Sequence, residues 1–154
     1  MKFVYAIVEN YNKQAYISIS SLLEKISTQC SILIIHKNPE TFNIYLNQLE
    51  ENSYLDDIKV LKFENKGLDF PQLDGSHVSE ATYYRLFIDQ YLSEDENYYV
   101  YLDADVVCIN DPIKQINLLI DEMKQQKIPI AARTEDVLIN SNTYQNLTKF
   151  EKLK

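Results

Sequence analysis

The sequence predicts an α/β fold, a mostly parallel sheet flanked by helices, and three observations predict it. Three short apolar runs, at residues 2–8, 31–36 and 57–63, alternate with two segments of helical periodicity. Strand–helix–strand–helix–strand order returns the chain to the same end of the sheet each time, which makes the pairing parallel. At 154 residues, 45% hydrophobic and 25% charged, the chain is long enough for a real core and ordinary for a single globular domain.

The elements follow in order. KFVYAIV at 2–8 is a first strand, apolar enough to be central, and ENYN after it is a polar turn where a ligand loop would sit. From 13 to 27, Ala15, Tyr16, Ile19, Leu22, Leu23 and Ile26 recur at helical spacing, the stripe of a helix packed on a sheet. SILIIH at 31–36 is a second strand. Asn38-Pro39 opens another helix, Asn as cap and Pro at its first position, running through Phe42, Tyr45, Leu46 and Leu49. DIKVLKF at 57–63 is a third strand. The polar connection 64–78 holds Gly67, Pro71, Gly75 and His77, and connections this long in compact domains tend to be functional.

Ser79 then stands as the cap of a helix through Leu92, with Tyr84, Phe87, Ile88 and Tyr91 on its apolar side. Its one cation is Arg85, which pattern alone reads equally as a ligand-facing charge or as a solvated face or ion-pair partner of Asp89 four residues on. After SEDEN comes YYVYLD at 98–103, read as a buried strand running into acid. Asp111-Pro112 precedes a helix over 113–126, IPIAA at 128–132 reads as a short strand, and the tail from 137 is polar and weakly helical.

Composition excludes several functions. A formal charge of −8 and no basic patch argue against nucleic acid and against adhesion to anionic lipid. An acidic chain still binds a diphosphate if a divalent cation stands between the two sets of charges. Cys30 and Cys108 lie far apart, outside any C-x-x-C or Cys/His cluster, so two reduced, buried thiols in a cytoplasmic protein are expected rather than a zinc site or disulfide. With only two glycines, the chain has neither G-x-G-x-x-G nor a P-loop, so any phosphate must be held by other means. No stretch reaches the length of a transmembrane helix.

Asp103 and Asp105 offer that means. In an extended chain, residues i and i+2 share a side, so both carboxylates reach one point at a strand's carboxyl end. Two hard oxygen donors there suit Mg²⁺ or Mn²⁺, in the place where open α/β sheets bind ligands. Roughly one D-x-D arises by chance in a chain this rich in aspartate, so context decides, and surface acids are the bland alternative.

The context resembles a known family. SEATYYRLFIDQYLSEDENYYVYLDADVVCINDPI at 79–113, with VYAIVENY and QAYISISSLL near the N-terminus, is similar to glycosyltransferase family 8, retaining enzymes of the GT-A (Rossmann-like) fold that use nucleotide-sugar donors. The resemblance covers almost the whole chain in the right order and points to a lipopolysaccharide galactosyl- or glucosyltransferase-like hexosyltransferase. It implies that Asp103 and Asp105 ligate Mn²⁺ (or Mg²⁺) bridging the phosphates of a UDP-sugar, and that Asp103 and the Ala104 backbone meet the ribose. It further implies that Ala6, Asn10 and Tyr11 hold uracil, Tyr11 by stacking, and that Arg85 reaches the donor sugar. His77 aligns in the loop bordering the nucleotide, where a structural role is expected, and Glu135 or Asp136 is placed to touch the sugar. The implied acceptor is a saccharide or lipid-linked saccharide in polysaccharide biosynthesis, at a cytoplasmic site or the inner membrane face.

Two departures stand out. Val8 occupies a position where the family often has aspartate. The family's later asparagine–glycine strand, acidic acceptor-side motif and C-terminal histidine, the third metal ligand, have no counterpart before Lys154, and neither His36 nor His77 lies where that ligand belongs. The expectation is therefore the nucleotide-sugar part of a fold truncated at its C-terminus, inactive alone and prone to self-association through the surface so exposed. Two other readings stay in view. DADVV nearly matches the D-x-D-x-[TV] nucleophile of haloacid-dehalogenase-type phosphatases, though it stands late in the chain, and a non-catalytic interaction domain would also keep this fold.

Overall fold

The structure, a computed structural model, describes residues 1–67, 70, 80–93 and 96–132. Pro71, Gly75, His77, Ser79, Glu135, Asp136 and the polar tail lie outside the described residues. The chain divides into two units, 1–117 and 118–154.

The first unit holds a four-stranded sheet of β1 (Lys2–Ile7), β2 (Cys30–His36), β3 (Leu55–Lys62) and β4 (Val100–Tyr101). Its order is β3-β2-β1-β4, every described pairing parallel. β1 and β2 are buried on both faces, and the period-2 alternation of their side chains sorts them into two cores. Phe3, Tyr5, Ile7, Ile32 and Ile34 face one way, against Ala15, Ile19, Leu22 and Leu23 of α1 (Asn12–Lys25). Val4, Leu33 and Ile35 face the other, against Phe63, Ala81, Tyr84 and Ile88. The Tyr5 hydroxyl, deep in the first core, is satisfied by Ser18 Oγ of α1 at 3.1 Å. α2 (Asn43–Glu50) joins the same side, with Tyr45 stacked on Tyr16 of α1 at 5.0 Å between ring centroids. β3 alternates half-buried Ile58 and Val60 with exposed Asp57, Lys59 and Lys62, the charged pattern of a sheet edge.

Several elements differ from the sequence expectation, each for a physical reason. Pro39 does open the second helical segment, but as a 3-10 turn over Pro39–Phe42, and Asn38 makes no side-chain cap. Its amide instead donates to Glu9 Oε1 at 3.1 Å, tying the turn after β1 to the turn after β2. The helix foreseen through Leu92 is one α turn, α3 (Ala81–Tyr84), continued as a 3-10 helix over Arg85–Tyr91. That tighter winding suits apolar residues three apart. Tyr84 and Phe87, like Ile88 and Tyr91, sit at that spacing, and the rings of Tyr84, Phe87 and Tyr91 all gather on Phe63.

The run YYVYLD is not a buried six-residue strand. Only Val100 and Tyr101 pair, with Phe3 and Val4 of β1, and both are half-buried because β4 is the sheet edge among the described residues. Cys108, expected to be buried, is half-buried, and its thiol donates to the Asn110 carbonyl at 3.0 Å, while Cys30 is buried as foreseen; both thiols are free.

α4 (Ile113–Gln126) has the foreseen limits, and the Asp111 carboxylate caps its start by accepting from Ile113 N–H at 3.1 Å. In the second unit, IPIAA forms no strand. Lys127 turns left-handed (φ 56°), and its N–H and that of Ile128 return to the carbonyls of Lys124 and Met123 at 3.4 and 2.9 Å. This Schellman closure consumes the first residue of the run. Pro129 then lacks the donor a ladder needs, and Ile130 is left 77% exposed.

Candidate functional site

The sheet order creates a site before any side chain is considered. From β1 the chain steps outward through β2 to β3, then crosses back to place β4 on the other side of β1. Such reversals leave a crevice at the carboxyl ends of the two strands that part there. A cleft of about 250 Å³ lies at that point, lined by Ala6, Ile7 and Tyr11 from β1 and its turn, Ala81, Thr82 and Arg85 from the α3 segment, and Tyr101, Asp103, Ala104 and Asp105 from β4 and its turn. Of the residues singled out from sequence, Ala6, Tyr11, Arg85, Asp103, Ala104 and Asp105 meet there. Asn10 does not line the cleft and stands exposed in the turn beside Tyr11.

Asp103 and Asp105 both line the cleft, for a reason other than the one foreseen. The chain is extended only to Tyr101, then turns, with Val106 N–H donating to the Asp103 carbonyl at 3.2 Å. Both ends of this turn are anchored. Leu102 N–H donates to Val4 O of β1 at 3.0 Å, and Cys108 N–H to Ser21 Oγ of α1 at 2.9 Å. A turn fixed at both ends, not strand pleating, presents the two carboxylates.

Arg85 makes its ion pair with Asp103, from Nη2 to Oδ1 at 3.3 Å, and not with Asp89, one of the alternatives its pattern left open. Its Nε donates to the Thr82 carbonyl at 3.0 Å, and its Cζ stands 5.0 Å from the centre of the Tyr101 ring. The Tyr101 hydroxyl donates to Asp103 Oδ1 at 2.9 Å. Burial first, then that hydrogen bond, pushes the Tyr101 pKa well above the ordinary tyrosine value, so the hydroxyl stays a donor. The Arg85 and Asp103 side chains are 39% and 54% exposed, and a pair so placed stabilises a fold by only about 0–1 kcal/mol.

Tyr101, Ala81, Thr82 and Ile7 were missed in the sequence. Tyr101 had a readable signal: it precedes Asp103 by two residues, so period 2 puts both on one side. Ala81, Thr82 and Ile7 carried none, since only the crossing of segments brings them to the cleft.

The acidic pair is chemically apt for a divalent cation. Mg²⁺-type ions are held by one or two carboxylates with substrate phosphates completing the shell, so the donor set fits the protein's share of such a site. Among the described residues no three His, Cys, Asp or Glu side chains cluster to hold a metal without other ligands.

His36 is structural. It is fully buried, its Nδ1 accepts from Asn38 N–H at 2.7 Å, and its Nε2 donates to Asn12 Oδ1 at 2.7 Å. Asn12 Nδ2 donates to Thr41 Oγ1, and Thr41 Oγ1 to the Asn38 carbonyl, closing a ring of bonds beside the turn that carries Tyr11. Burial holds the His36 pKa below its ordinary value, against the opposing pull of Glu9 and Glu40. The unfolded chain therefore takes up a proton first as pH falls, and His36 contributes stability that is present above about 6.5 and lost below it. Urea midpoints at pH ~7.5 and ~5 should show that loss, and His36→Gln should flatten it.

Comparison with known proteins decides the family. The sequence matches the family model of Glycosyl transferase family 8 over residues 2–152. The chain belongs to glycosyl transferase family 8. This bears out the resemblance carried by YYVYLDAD and removes the phosphatase reading. Solved glycosyltransferase structures share the fold. An active-site mutant of LgtC, and the galactosyltransferase LgtC in complex with donor and acceptor sugar analogs, each align with a TM-score of 0.62 at 21% identity, covering 75% of this chain. The apo structure of the bifunctional glycosyltransferase WbbM aligns with a TM-score of 0.55 at 20% identity, over 76% of this chain and 20% of WbbM. This family 8 chain spans 41% of the LgtC chain. No curated protein matches it in sequence. No helix among the described residues is long and apolar enough to cross a membrane.

Proposed function

We propose that this chain holds the nucleotide-sugar donor of a family 8 hexosyltransferase, and that the complete enzyme transfers the sugar to a saccharide acceptor with retention. The observation that carries this reading is the gathering of Arg85, Asp103 and Asp105 with Tyr11 and Ala6 around one cleft at the strand reversal. Asp103 and Asp105 would hold Mn²⁺ or Mg²⁺ against the donor diphosphate, and the cation would neutralise charge on the leaving group without a proton transfer. Arg85 adds a fixed positive charge beside Asp103, and its Nε is held by the Thr82 carbonyl. Tyr11 offers a half-buried ring beside Ala6 and Ile7, an apolar wall against which a base such as uracil packs. The Ala104 backbone, between the two aspartates, would meet the ribose.

Calorimetric titration with UDP tests the reading. Affinity should rise by about tenfold or more when Mn²⁺ is present, since a cation between carboxylates and diphosphate converts repulsion into attraction. Equal heats with and without Mn²⁺ would reject it.

A further inference from the structure

Tyr101 touches two of the three charged groups of the cleft, Arg85 and Asp103, and the donor reading gives it no role. Its hydroxyl reaches Asp103 Oδ1 at 2.9 Å, its ring lies 5.0 Å from Arg85 Cζ, and Arg85 reaches that same Oδ1 at 3.3 Å. The three side chains form a closed triangle.

Their anchoring is unequal. Tyr101 is a strand residue, registered against Val4 of β1 and followed by the Leu102 N–H bond to Val4 O at 3.0 Å. Asp103 lies beyond the strand, at the start of a turn, with its side chain 54% exposed. An exposed carboxylate on a turn samples several rotamers, and a ligand that needs one of them must overcome that freedom. The Tyr101 hydroxyl carries the rigidity of the sheet one side chain further out. Both contacts fall on Oδ1, so among the described residues they orient the carboxylate without occupying Oδ2.

We propose that Tyr101 is a positioning residue of this site, fixing Asp103 through its hydroxyl so that Oδ2 meets a divalent cation, and seating the Arg85 guanidinium on its ring. The proposal rests on the donor-site reading above. It separates two functions within one side chain: the hydroxyl serves the cation-dependent part of binding, and the ring serves the arginine-dependent part.

UDP titrations with and without Mn²⁺, on the wild type, Tyr101→Phe and Tyr101→Leu, test it. Tyr101→Phe keeps the ring, so metal-free UDP affinity should stay within ~twofold, because the seat of Arg85 survives. The Mn²⁺ enhancement should fall by about tenfold, as when a partner that orients a metal ligand is removed. Tyr101→Leu should lower both. If the wild type shows the enhancement and Tyr101→Phe keeps it in full, the positioning role is overturned and the donor reading stands. If the wild type shows none, the donor reading fails and takes the positioning role with it. If both variants lose metal-free and metal-dependent binding in parallel, with lowered melting temperatures, Tyr101 is merely structural and the proposal is overturned.

Discussion

Asp103→Asn is expected to abolish the Mn²⁺-dependent part of UDP binding while leaving the fold in place. The substitution keeps the shape of the side chain and an oxygen that Tyr101 and Arg85 can still donate to, so it removes charge and little else. Loss of an outer partner of a metal ligand typically costs about 10–100-fold in metal affinity, and loss of the ligand's own charge should cost no less. Stability should move by less than about 0.5 kcal/mol, because Asp103 is half exposed and its ion pair with Arg85 is of the weak surface kind. Calorimetry and urea denaturation on the same sample check both halves. UDP affinity unchanged in the presence of Mn²⁺ would favour a non-catalytic interaction domain that kept the fold.

Phe63→Ala should show the reverse pattern, a large loss of stability with a secondary loss of binding. Phe63 is 6% exposed, just past the end of β3, and packs in the core of Val4, Leu33 and Ile35. Its ring stacks on Tyr84 at 3.8 Å and meets Phe87, Phe70 and Tyr91 at 5.7, 5.9 and 6.4 Å between centroids. Truncating a buried phenylalanine costs about 3–5 kcal/mol, and rings this interlocked cannot collapse readily into the space left. Against a total stability of about 5–15 kcal/mol that is a large share. The urea midpoint should drop at an unchanged m-value. Tyr84 directly precedes Arg85, so the variant should also loosen the guanidinium and weaken UDP binding where the protein is still folded. A midpoint near the wild-type value would show that the aromatic cluster does not hold the α3 segment on the sheet.

The two variants mark how unevenly the molecule could be read in advance. The alternation of apolar runs and helical stripes was enough for β1, α1, β2, β3 and α4, since period 2 and period 3.6 are local properties that the sheet and its helices simply obey. Asp103, Asp105 and Arg85 were legible as candidates because their residue types suit diphosphate chemistry. Their actual relation was not. The pattern left Arg85 open between a solvated face, a partner in Asp89 four residues along a helix, and a ligand, whereas the segment winds as a 3-10 helix and the guanidinium meets Asp103. IPIAA carried the composition of a strand, but the helix before it ended on a Schellman closure that used up its first residue.

By itself, the sequence determined the parallel α/β plan, the family, and the kinds of groups a donor site would need. These follow from composition and short-range period, which the chain carries wherever it folds. Only the tertiary structure decided that β4 returns beside β1, that a turn rather than a pleat presents the two aspartates, and that Tyr101 joins Asp103 to Arg85. Those facts depend on which strand lies next to which, a choice made by burying two faces of one sheet at once.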